Sequence, residues 1–132
     1  MKIQRDRAKR TLFLSQKKYI NELLSKFNIS SDKPIYSPDV QDVRLKKNTE
    51  QAEANDINLY QQQIDSLMYL MTATRPDIAF SVCNCARFMS NSNQKHFNAL
   101  KRIWQYVKTT SNKGLLYESS DILTLKSYVD SD

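Results

Sequence analysis

The sequence predicts an α+β fold: an N-terminal β-hairpin, a small bundle of about four helices, and a C-terminal pair of strands. Three observations carry this. Apolar residues recur at helical spacing between Tyr60 and Thr109. Short apolar runs beside charged or polar stretches stand near both ends, at Thr11–Leu14 and Leu115–Tyr117. Glycine occurs once, at Gly114, where the helical pattern stops.

The elements follow in order. Met1 and Ile3 begin one strand, Thr11 to Leu14 form the next, and the charged RDRAKR stretch joins them without an Asn-Gly or Asp-Gly turn. Ser15 is the expected N-cap of a helix whose apolar stripe is Tyr19, Ile20, Leu23, Leu24 and Phe27, with Asn28 as its stop. Residues 30–59 carry Pro34, Pro38 and many polar side chains, which predicts an extended connector. A second helix is expected over about Tyr60–Thr72, with Ile64, Leu67, Met68 and Met71 on one face. A third starts near Thr74, where Thr74 and Asp77 have capping-box spacing and Pro76 suits a first turn. Its stripe is Ile78, Val82, Cys85 and Met89. A fourth runs over about Asn93–Thr109 with Phe97, Leu100, Ile103, Trp104 and Val107 inward. Leu115–Tyr117 and Leu123–Val129 are the expected closing strands.

Composition narrows the function. With 132 residues the chain is one small domain or a piece of a larger one. A formal net charge of +6 favours an acidic partner, nucleic acid first, over a merely basic soluble protein. Cys83 and Cys85 lack metal-site spacing, and with the single His96 they argue against zinc and for buried free thiols. His96 falls on the apolar side of its helix and is expected as a packed neutral side chain. No apolar run approaches the ~20 residues of a membrane span, and the basic N-terminus lacks a signal peptide's apolar segment. A cytoplasmic or nuclear location follows, with no membrane partner.

Several stretches in a fixed order then resemble one family. They are LSQKKYINELLSKFNI (14–29), the helix at Tyr60–Leu70, TRPDI (74–78), Arg87–Asn91, His96–Lys108, Gly114–Tyr117 and SYVDSD (127–132). Together they resemble the Pol polyprotein of copia-type retrotransposons, between its polymerase and ribonuclease H domains. Asp65, Thr109 and Ser127 stand where the family prefers glycine, and Phe97 where it prefers tryptophan.

The resemblance implies four regions: a primer-holding hairpin and first thumb helix (1–29), a polar connector (30–59), a helical thumb or connection (60–111), and the start of a ribonuclease H sheet (112–132). It implies a parent enzyme that is a Mg2+-dependent RNA-directed DNA polymerase with a ribonuclease H. The polymerase's Tyr-x-Asp-Asp turn is absent from this sequence. Asp130 matches the first ribonuclease H carboxylate, one ligand of an incomplete set, so no complete metal site and no cofactor is expected here, and the chain alone is expected to be inactive. The expected role is support of template–primer, an RNA–DNA or DNA duplex held through its phosphate backbone, alongside the rest of the polyprotein. Arg5, Arg7, Lys9, Arg10, Lys17 and Lys18 are the candidate contacts, with Arg75, Lys101 and Arg102 further along. Two alternatives stay open: a solvated charge run in place of a binding face, and, for Arg75, an ion pair with Asp77 or another acid. A non-enzymatic nucleic-acid-binding module or a helical protein-interaction module are the rival functions.

Overall fold

The structure, a computed structural model, describes residues 1–30, 33–39 and 44–119. The second expected C-terminal strand and Asp130 lie outside these.

The hairpin forms as expected. Strand β1 (Lys2–Asp6) pairs antiparallel with β2 (Thr11–Ser15), from Lys2 opposite Ser15 to Asp6 opposite Thr11. Every residue of β1 is exposed, and its charges suit an edge strand that must not recruit further strands. Strand β3 (Leu115–Glu118) joins the other side of β2, giving the order β1-β2-β3. The first expected C-terminal strand thus completes the N-terminal hairpin's sheet. Gly114 permits this pairing: a Cβ there would lie 2.1 Å from the Leu14 carbonyl oxygen.

Helix α1 (Lys17–Lys26) begins two residues after Ser15. Ser15 is not its N-cap: Ser15 ends β2, and Gln16 takes the cap position without a side-chain cap bond. The helix ends as the sequence suggests. Asn28 sits at φ 54°, Ile29 N–H donates to the Leu24 carbonyl at 2.9 Å, and Asn28 N–H donates to that of Ser25 at 3.2 Å. These two bonds and the inward Leu24 and Ile29 side chains make a Schellman ending.

Helix α2 (Ala54–Ala73) starts six residues before Tyr60. Only Ile57 in that extension is even partly buried, so no apolar stripe announces it. The expected Thr74–Asp77 capping box does not form. Thr74 closes α2, its hydroxyl donates to Gln16 Oε1 at 2.7 Å, and Arg75 occupies the Asp77 carboxylate. A 3₁₀ turn at Pro76–Ile78 leads into α3 (Ala79–Ala86). Tyr60 Oη donates to the Cys85 carbonyl and Gln61 Nε2 to that of Met89, so α3 folds back along α2. Cys85 is buried and Cys83 exposed, which corrects the expectation of two buried thiols.

Helix α4 (Gln94–Thr109) has a capping box built with histidine. Asn93 Oδ1 accepts the His96 N–H at 3.3 Å, and His96 Nδ1 accepts the Asn93 N–H at 2.9 Å. Nδ1 therefore carries no proton, and Nε2 donates to the Lys46 carbonyl at 2.9 Å. The ring is fully buried, stacks on Phe88 at 4.1 Å, and burial holds its pKa below the usual value.

Ile20 and Leu23 of α1, Tyr60, Ile64, Leu67 and Leu70 of α2, Ile78, Val82 and Cys85, and Leu100, Ile103, Trp104 and Val107 of α4 form one core. The described part of the connector is fastened to it. Ile35 and Leu45 pack against the core, Ile35 N–H donates to Thr109 Oγ1 at 3.1 Å, and Asn91 Oδ1 accepts the Ala52 N–H at 3.0 Å. Thr109, one of the positions where the resemblance prefers glycine, thus supplies a contact that glycine cannot make.

Candidate nucleic-acid interface

The charge is unevenly placed. Residues 2–18 hold seven basic side chains and one acidic one, Asp6, while the rest of the chain holds thirteen of each. The whole net charge of +6 therefore resides in the hairpin and the first turn of α1.

Local structure turns those side chains outward. Asp6 Oδ1 accepts the Lys9 N–H at 3.0 Å, and Arg10 adopts a left-handed φ of 53°, which together close the four-residue Arg7–Arg10 turn without glycine. Ser119 N–H donates to the Arg10 carbonyl at 3.1 Å and ties the end of β3 to this turn. Residues 1–10 are all exposed. Arg5, Arg7 and Arg10 line an open groove shared with Tyr117, and the acids Asp6 and Glu118 line it too.

Lys17 and Lys18 stand exposed in the first turn of α1, which contains no acidic residue. The dipole there disfavours cations by a few tenths of a kcal/mol each and favours an anion. Lys18 Nζ lies 4.0 Å from Glu22, a solvent-exposed pair of little energetic weight. With Lys2, both lysines border a second shallow concavity. Lys101 and Arg102 lie on α4, outside both concavities; Arg102 Nε donates to the Asp39 carbonyl at 3.2 Å.

Arg75 is placed elsewhere. It is 1% exposed, and Nε and Nη2 each donate to Asp77 at 2.9 Å. Nη1 donates to the Thr110 carbonyl at 3.1 Å and Nη2 to Thr110 Oγ1 at 2.6 Å. Tyr106 Oη donates to Asp77 at 2.7 Å. Of the two readings open for Arg75, the ion pair with Asp77 is the one present, and the guanidinium has no exposed edge to offer a phosphate. Burial works to raise the Asp77 carboxyl; the Arg75 and Tyr106 bonds and the guanidinium charge outweigh it and hold the carboxyl below its usual range.

Sequence reasoning offered the Arg75–Asp77 pair but missed Tyr117 as a site residue and the Tyr106 and Thr110 partners of that pair. The signal for Tyr117 is strand alternation, which sets it on the face of Arg5; the network needs the tertiary fold. Among the described residues, no three His, Cys, Asp or Glu side chains converge as a metal site. No helix among them is long and apolar enough to cross a membrane.

Over an alignment of 137 residues covering the whole chain, the sequence is 39% identical to the retrovirus-related Pol polyprotein from transposon TNT 1-94 of Nicotiana tabacum. It is 34% identical over 98% of the chain to that from transposon RE1 of Arabidopsis thaliana, and 31% over the same share to that from RE2. The chain belongs to the Pol polyproteins of copia-type retrotransposons. It spans about a tenth of the length of these relatives, 10% of the first and 9% of the other two. No family model matches it, and no solved structure is significantly similar to it. Within the Pol family this stretch is a mixed α+β unit with a small antiparallel sheet. Its basic end is the sheet and the helix that follows it.

Proposed function

We propose that this stretch of Pol supports template–primer nucleic acid by sequence-independent phosphate contacts and leaves polymerase and nuclease chemistry to other parts of the polyprotein. The observation that carries the proposal is the segregation of the entire net charge into residues 2–18, exposed along the hairpin and the start of α1. A solvated charge run would need no such segregation. Arg5, Arg7, Lys9, Arg10, Lys17 and Lys18 are the assigned contacts; Lys101 and Arg102 are a lesser pair on α4. Asp130 is proposed as one ligand of a Mg2+ site that further carboxylates must complete.

Binding to an RNA–DNA hybrid, followed by anisotropy across a salt series, tests this. Affinity falls steeply with salt for the wild type and more gently for Lys17→Glu/Lys18→Glu. Equal behaviour of the two proteins rules out the basic face.

A second reading, contact with the rest of the polyprotein, is favoured by exposed apolar side chains on α2 and α3, with Phe80 72% and Tyr69 51% exposed. Phe80→Glu would then abolish association with the remaining Pol segments and leave hybrid affinity unchanged.

A further inference from the structure

We propose that one face of the sheet holds an unpaired nucleotide, its base stacked on Tyr117 and its phosphates against Arg5 and Arg7. The site rests on the reading that this end of the chain binds nucleic acid, and specifies which form of nucleic acid it takes.

Register makes the case. Residues directly opposite in an antiparallel sheet share a face. Arg5 is opposite Leu12, and Leu12 is opposite Tyr117, so the three form one row across all three strands. Ile3, Leu14 and Leu115 form the next row on the same face. None of these six side chains is acidic. Two acids, Asp6 and Glu118, also line the groove; both lie opposite Thr11, so their strand positions belong to the other face. Asp6 is further occupied by the Lys9 N–H.

The composition of the row is that of a stacking platform. Tyr117 is 53% exposed on β3, so its ring is open to a ligand. Half-buried Leu12 beside it offers an apolar floor. Arg5 stands two interstrand spacings away, about 10 Å, and Arg7 continues the cationic rim at the turn. An aromatic face next to a cationic groove is how proteins hold single-stranded nucleic acid, because every base has a π-face and every nucleotide a phosphate. A fully paired duplex offers phosphates to Arg5 and Arg7 but no base face to Tyr117 except at its end. The site therefore takes the unpaired nucleotides next to a duplex.

The test compares a blunt RNA–DNA hybrid with the same hybrid carrying a short single-stranded overhang that contains 2-aminopurine. The wild type binds the overhang substrate more tightly and quenches the 2-aminopurine fluorescence. Tyr117→Ala loses roughly tenfold in affinity for the overhang substrate, within the range for one base–aromatic stack, and nothing for the blunt one. Tyr117→Phe retains both the affinity and the quenching, which separates loss of the ring from loss of the strand. Unchanged overhang affinity and quenching in Tyr117→Ala overturn the nucleotide site. If Lys17→Glu/Lys18→Glu still weakens blunt-hybrid binding in that case, the broader duplex-binding reading survives. If no wild-type binding to either substrate responds to salt, both fall together.

Discussion

Replacing Arg75 by methionine should unfold this chain more readily than any surface change, and its cost can be worked from the contacts. The guanidinium makes two charge-assisted bonds to Asp77 and two to Thr110 while 1% exposed. Breaking one side of a buried ion pair typically costs 3–5 kcal/mol, because the other charge stays behind. The Asp77 side chain is 34% exposed and recovers some hydration, which moves the figure to the low end. The buried Thr110 carbonyl loses this donor outright, whereas the Thr110 hydroxyl keeps its bond to the Tyr106 carbonyl. We expect a loss of about 3 kcal/mol in urea unfolding, or a fall in Tm of roughly 10 °C for a chain of this size. Arg75→Lys keeps a charge but not the planar fork, and should recover only part of the loss. The pH dependence has a definite sign. Asp77 titrates below its ordinary 3.8 when folded, so its contribution is complete above that value and disappears as pH falls through the folded pKa. The gap between wild type and Arg75→Met should therefore narrow only in strong acid. A loss below about 1 kcal/mol, in the range of an exposed pair, would refute the assignment of Arg75 as an internal clamp.

Other outcomes follow from the same structure. Gly114→Ala puts a methyl 2.1 Å from the Leu14 carbonyl oxygen, so it should cost about 2 kcal/mol or more and speed hydrogen exchange in β3. His96→Ala removes a cap and the bond to Lys46, for about 1–2 kcal/mol, and should accelerate proteolysis in the 44–53 segment. The folded His96 pKa lies below 6.5, so wild-type stability should fall as pH drops below that value, and His96→Ala should lack this component. Thr109→Val leaves the Ile35 N–H without its partner at a cost of about 1 kcal/mol, measurable by chemical denaturation.

Legibility in the sequence followed how local the cause was. The helical stripes around Leu67, Val82 and Trp104 and the Asn28 stop depend on spacing and on one residue's tolerance of positive φ, and both were readable. The start of α2 was not: Ala54 to Leu59 buries almost nothing, so the periodic signal is missing although the backbone is helical. Capping at Ser15 and Thr74 departs from the local pattern because tertiary partners claim those residues. Ser15 pairs opposite Lys2, and Thr74 turns to Gln16, fifty-eight positions away. The basic candidates are plain in the sequence, but the fold is needed to separate them. It buries Arg75 beside Asp77, leaves Arg5, Arg7, Lys17 and Lys18 in solvent, and brings Tyr117 across two strands to Arg5.

If residues 2–18 grip phosphates, the salt slope of hybrid binding reports it. With six contacts the wild type should show log K falling by about 5 per decade of salt. Lys17→Glu/Lys18→Glu should be shallower by about 2, with an unchanged far-UV spectrum. A wild-type affinity that does not respond to salt, or identical slopes for the two proteins, would contradict this grip.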